Sequence, residues 1–148
     1  MCDSKYGPNS LLDFLKRFSD VHVASFTLTS TQLKKSIIDA NEEIRRQFES
    51  TGFHDYQNQL AGESGKVVVQ VVALCRRTLQ PTTMTMYRAR SNRDPRLWIG
   101  RLRSLYPEAR MGDQFLIAQD GQRALILDVA STELDNETEM LISSVFSW

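Results

Sequence analysis

Apolar residues recur in two rhythms along the chain, one helical and one extended. Leu33, Ile37, Ala40, Ile44 and Phe48 fall at intervals of three or four, which is one stripe of an amphipathic helix. Ahead of them Thr29-Ser-Thr-Gln32 reads as a capping box, in which Thr29 accepts from the Gln32 N–H and the Gln32 side chain reaches back. The pattern predicts one helix from Thr29 to about Ser50, stopped by Gly52 and supported by the i,i+4 pair Glu42 and Arg46. Upstream, residues 1–9 read as a flexible lead-in. Leu11, Leu15 and Phe18 predict a short helix capped by Ser10, and Val21–Leu28 a strand.

After a polar, Gly-containing loop over 53–65, the rhythm changes. Val67–Arg76 is apolar at successive positions, as in a central strand covered on both faces. Pro81 is read as a break. Thr82–Arg90 then alternates, with Met84, Met86, Arg88 and Arg90 on one face and Thr83, Thr85, Tyr87 and Ala89 on the other. Ser91–Arg96 carries turn chemistry, Leu97–Ile99 is apolar again, and 100–110 predicts a helical turn holding Leu102, Leu105 and Tyr106 inward. Past a turn at Met111-Gly-Asp113, Gln114–Gln119 and Gln122–Val129 flank Asp120-Gly121 as a hairpin with a two-residue turn. Residues 131–148 are first acidic, then apolar. Leu134, Leu141, Val145 and Trp148 share a helical face. The order predicts an α+β fold over a single domain, 1–148. N-terminal helices precede a curved, mostly antiparallel sheet (a partial barrel), and a C-terminal helix closes it.

Composition narrows the classes. At 148 residues, 41% hydrophobic and 24% charged, the chain is long enough for a core without staples. The N-terminus does not read as a signal peptide, and no apolar run approaches the ~18 residues of a membrane span. The cysteines, Cys2 and Cys75, and the histidines, His22 and His54, match no metal-ligand spacing. We therefore expect no metal, no cofactor and a cytoplasmic setting.

Charge changes the picture most. The net charge is zero, yet residues 1–65 carry −2, residues 66–110 carry +8, and residues 111–148 carry −6. Segregation of this kind implies a polarised surface. Nine arginines build the basic segment, with Lys66 its one lysine: Arg76, Arg77, Arg88, Arg90, Arg93, Arg96, Arg101, Arg103 and Arg110. Arginine is favoured where a planar fork grips phosphate or carboxylate, or stacks on a base. Trp98 and Tyr87 lie among them and are able to stack on unpaired bases, and Asn92 is able to read adenine. The candidate nucleic-acid-binding residues are Arg88, Arg90, Asn92, Arg93, Arg96, Trp98, Arg101 and Arg103, with DNA favoured over RNA. Two other readings stay open. The arginines can pair with the chain's own acidic segment, or meet an acidic protein.

The stretch Arg88-Ala-Arg-Ser-Asn-Arg-Asp-Pro-Arg-Leu-Trp98, followed by the Gly112-Asp113 turn and a hairpin, resembles the pseudobarrel recognition domain of EcoRII-type restriction endonucleases. The resemblance implies a DNA-reading barrel with arginine-bearing loops, in a restriction or defence setting. Helix 29–50 has no counterpart in it.

Catalytic signatures are weak. Cys75 lies in a strand expected to be buried, where a thiol is inert. His54-Asp55 are adjacent and poorly placed to orient each other. Gly62-Glu-Ser-Gly65 precedes a strand, not a helix whose dipole would hold phosphate. Asp113, Asp120 and Asp128 suit a metal-dependent nuclease, but turn geometry accounts for the first two. No catalytic residue is assigned. The apolar ending is expected to dock on the core, or otherwise to engage a partner or a second copy through Leu141, Phe146 and Trp148.

Overall fold

A computed structural model describes residues 8–146. Most of the expected lead-in therefore lies outside the described residues, as do Cys2 and Trp148. Helix α1 spans Pro8–Leu15. Proline opens it, two residues before the expected Ser10 cap, because a first helical residue needs no N–H. Strand β1 (His22–Thr27) follows.

The long helix expected over 29–50 is three elements: α2 (Ser30–Lys35), β2 (Ile37–Asp39) and α3 (Glu42–Thr51). The capping box at Thr29 and Gln32 forms as read, and Gly52 ends α3 in the left-handed region at φ 78°. Between them Ser36 turns left-handed at φ 62°. Ile37 and Ile38, β-branched and suited to extended backbone, then pair with a strand. Asn41 starts a second helix by accepting from the Ile44 N–H at 2.9 Å, with Glu42 and Glu43 in its first turn. Ile38, absent from the helical stripe, is fully buried.

The strands are β3 (Val67–Cys75), β4 (Thr78–Arg88), β5 (Pro95–Ile99), β6 (Gln114–Gln119) and β7 (Ala124–Asp128). Helix α4 (Leu102–Leu105) sits between β5 and β6 and holds Leu102, Leu105 and Tyr106 inward, as expected. Helix α5 is Asn136–Phe146. The sheet order is β1-β6-β7-β3-β4-β5-β2, all antiparallel except the parallel pair β3–β7. The sheet curls into a half-barrel, so the fold is α+β with a mixed sheet, as the element order predicted.

Pro81 does not break the chain. Strand β4 runs through it, opposite Val72 of β3, because β5 pairs only with Met84–Arg88 and leaves Pro81 no second neighbour that needs its N–H. The β6–β7 turn is also longer than expected. Gln119 pairs with Ala124, and the Asp120 carboxylate accepts from the N–H groups of Gln122 and Arg123, which closes a four-residue loop.

Two apolar cores use the two faces of the sheet. The inner face takes residues from every strand, among them Phe26, Ile38, Ala73, Met84, Leu97, Ile117 and Ile126, and buries Ile44 and Phe48 of α3 with Tyr56. The outer face is covered only in part. Leu11, Phe14 and Leu15 of α1 and Ile142, Val145 and Phe146 of α5 pack on Leu116, Ala118, Leu125, Leu127 and Leu74. The apolar ending therefore docks on the core. Phe146 is spent there and Leu141 packs against it, so this pair is not a free anchor, and Met140 is the exposed apolar residue of α5.

Candidate nucleic-acid interface

Among the described residues, no α-helix covers the outer face of β3–β4–β5–β2 at its Val68 end. Outward residues alternate with core residues, and the register aligns them in rows. Val68 pairs with Thr85, Thr85 with Trp98, and Trp98 with Ile37, one row across four strands. Tyr87, Arg96 and Asp39 form the next row. Neither core cluster includes Val68, Thr85, Tyr87, Trp98 or Ile37. Val68 is 60% exposed and Trp98 40%, while Thr85 is buried between them. Strand β3 was expected to be covered on both faces. Its first half is not: the cluster built by α1 and α5 on this face takes in Val72 and Leu74 but not Val68.

Gly100 holds the edge of this platform. Its N–H donates to the Thr83 carbonyl at 2.9 Å, and its own carbonyl accepts from the Thr82 hydroxyl at 2.6 Å. A Cβ there would lie 2.9 Å from Thr83 Oγ1 and 3.2 Å from Thr82 Oγ1, so the two threonine hydroxyls, not the Trp98 ring at 3.5 Å, are what glycine makes room for. Lys66 Nζ stands 5.4 Å from the Tyr87 ring centre and 2.8 Å from Glu63 Oε1.

The eight sequence-selected residues separate into groups. Arg96 and Trp98 share the bare face. Arg90, Asn92 and Arg93 are exposed in the β4–β5 turn at one end of it, and Arg101 and Arg103 are exposed just past the other end of β5. Arg88 is not with them. It belongs to the Met84 and Met86 face, as the alternation said, and donates from Nε to the Tyr56 carbonyl at 2.7 Å and from Nη1 to the Arg93 carbonyl at 2.6 Å. It braces the turn. The Tyr56 hydroxyl donates to the Arg96 carbonyl at 2.9 Å and is held well above its ordinary pKa by burial, so it remains a donor. Asn92 accepts from the Asp94 N–H at 3.1 Å, which leaves its amide N–H groups outward. Nε of Arg96 is buried and has no hydrogen-bond partner.

Arg77 pairs with the acidic segment, as the ion-pair reading expected, whereas Arg76 finds its partner inside the basic segment itself. Arg76 meets Glu108 at 2.6 Å, and Arg77 is paired with Asp135 and lies 3.6 Å from Glu133. Both line a cavity of about 1000 Å³ at the β3–β4 turn, together with Arg110, Asp113 and Asp128. Burial, with Asp113 nearby, pushes the Asp128 carboxyl above the ordinary range, against the pull of bonds from the Ala130 N–H and the Ser131 hydroxyl. Burial also pushes up the Cys75 thiol, so it is not an activated nucleophile. Arg76 and Arg77 are satisfied by Glu108 and Glu133 of this lining, while Asp113 and Asp128 are held by backbone N–H groups and the Ser131 hydroxyl. Among the described residues no three of His, Cys, Asp and Glu gather as a metal site, and no helix is long and apolar enough to cross a membrane.

Sequence reading selected Trp98 and Arg96 but did not place Val68, Thr85, Lys66 or Ile37 beside them. The alternation of Thr83, Thr85 and Tyr87 carried half of that signal. The other half is strand register, which one strand does not encode.

Compared with known protein families, curated proteins and solved structures, this chain matches none.

Proposed function

We propose that this protein is a nucleic-acid-binding module, with DNA favoured over RNA, and that the bare half-sheet is its contact surface. One observation carries the reading: an exposed tryptophan stands beside Arg96 on a face that none of the described helices covers, with exposed arginines beyond both ends of β5. Arginine forks suit phosphate oxygens, and an aromatic ring on a rigid sheet suits a base. Backbone strain supports it. Arg93 adopts the left-handed region at φ 63°, where a side chain with no task is readily replaced by glycine; Arg101, at φ 60°, has a structural bond there, its Nη2 donating to the Pro81 carbonyl at 2.6 Å. The resemblance of 88–98 to EcoRII-type recognition domains extends the proposal to a restriction or defence setting.

A second reading has its own observation. Val68 and Trp98 form an apolar strip that an acidic protein would also cover, so the protein-interaction alternative stands on the same face.

Fluorescence anisotropy with labelled DNA and RNA, at low and physiological salt, separates the two. Binding should weaken with salt by a log–log slope of about one per phosphate contact, and Arg93→Ala/Arg96→Ala should reduce both affinity and slope. No binding at low salt by the folded protein rejects the nucleic-acid reading.

A further inference from the structure

Resting on that reading, we infer that the ligand is a single strand whose unpaired bases stack on Trp98 and Tyr87, with phosphates held by Arg96 and by the arginines beyond the two ends of β5. The register sets the spacing. Tyr87 pairs with Arg96 and Trp98 with Thr85, so the two rings are diagonal cross-strand neighbours on one face. Their Cα atoms are thus separated by roughly 7–8 Å. Lys66 Nζ, 5.4 Å from the Tyr87 ring centre, has to swing aside for a base to stack there and is then placed to meet its phosphate. Stacked bases of a duplex follow one another at about 3.4 Å along each strand. Two successive bases that each meet a ring on this face must be splayed apart to about twice that rise. Only an unpaired strand allows this, because in a duplex each base face is already covered by its neighbours.

The shape of the face agrees. It presents flat rows across paired strands, with Val68 and Ile37 continuing the Trp98 row on either side. The described helices lie on the covered half or on the inner face, so none stands beside the rings as a reading helix for a major groove. Five residues of β5 span about 17 Å between the arginine turn and Arg101, room for a short run of splayed nucleotides. Opposing charges are few, though Asp39 stands directly across from Arg96. Asp39 ends the Arg96 row, Asp94 lies in the turn, and Glu63 is held by Lys66.

The test compares labelled oligothymidylate and oligouridylate with a blunt duplex at physiological salt, using the full chain. The single strands should bind at least about tenfold tighter than the duplex. Trp98→Ala should weaken single-strand binding by about ten- to a hundredfold while leaving duplex binding unchanged, and Trp98→Phe should keep most of it. Thermal melting checks that each variant folds. A second readout needs no weakened variant. In Trp148→Phe, Trp98 is the sole tryptophan, and a single strand should quench its emission where the duplex does not. Duplex binding as tight as single-strand binding, an equal Trp98→Ala loss on both forms, or unquenched emission overturns the single-strand inference while the nucleic-acid reading survives. Binding to neither form, with capture of poly-glutamate instead, overturns both and assigns the face to an acidic protein.

Discussion

Arg93 holds a strained backbone in the exposed β4–β5 turn, and under the proposed function that strain is kept for contact with nucleic acid. At φ 63° its Cβ is crowded against its own backbone, which costs a non-glycine residue roughly 1–2 kcal/mol. Its N–H donates to the Ala89 carbonyl at 2.9 Å and its carbonyl accepts from Arg88, and neither bond needs the Arg93 side chain. Arg93→Gly should therefore raise stability by up to about 1 kcal/mol in urea unfolding, part of the relief being offset by the freer unfolded chain. The same variant should bind nucleic acid more weakly and with a shallower salt slope. Destabilisation by Arg93→Gly would show that the guanidinium serves the fold. The sequence could select Arg93 as an exposed turn arginine. It could not reveal that Arg88, five positions earlier and identical in chemistry, is committed to two backbone carbonyls, because one of those carbonyls belongs to Tyr56, far away in the chain.

At the scale of elements, legibility followed locality. The capping box at Thr29 and the stop at Gly52 arise from interactions within a few residues, and both were readable; the inward set of α4 was readable from its spacing although its burial is tertiary, with the Tyr106 hydroxyl bonded to the Leu74 and Ile126 carbonyls. The break inside 29–50 was not, since Leu33, Ile37, Ala40, Ile44 and Phe48 fit a helical stripe as well as they fit the helix–strand–helix found. Tertiary pairing of β2 with β5 decided it. The local trace of that decision is Asn41, which caps α3 with its side-chain oxygen. Asn41→Ala discriminates the two arrangements by sign. In one continuous helix it would replace a weak helix former by the best and stabilise by some tenths of a kcal/mol. With α3 starting at Glu42, it should cost about 1 kcal/mol, read as a lower urea midpoint at unchanged slope.

Across the whole molecule, the opposition of +8 and −6 segments asks whether the acidic ending masks the basic face. Deleting residues 131–148 does not answer this, since Leu134, Ile142, Val145 and Phe146 build one wall of the second core and their loss would unfold it. Geometry gives a cleaner route. The acidic segment meets the basic one at Arg77, where Glu133, Asp135 and Glu137 gather. Arg77 lies in the β3–β4 turn, at the opposite end of β4 from the Arg88–Pro95 pairing that opens the arginine turn. The eleven residues of β4 separate that turn from Arg77 by roughly 35 Å, several times the ~8 Å screening length at physiological salt, while Arg101, bonded to the Pro81 carbonyl, lies nearer the Arg77 end. Asp135 should be spared, because its carboxylate accepts from the Thr138 N–H at the start of α5. Glu133→Gln/Glu137→Gln removes two charges without touching that bond. Its nucleic-acid affinity at physiological salt should therefore stay within about threefold of wild type, a change worth under ~0.7 kcal/mol. A tenfold gain would mean that the acidic segment reaches the basic face after all, and that the ion pairs at Arg77 are one position of a mobile mask. An unchanged affinity leaves the charge segregation with a different physical role: it clamps α5 to the β3–β4 turn at one end of the sheet and leaves the other end free to hold a polyanion.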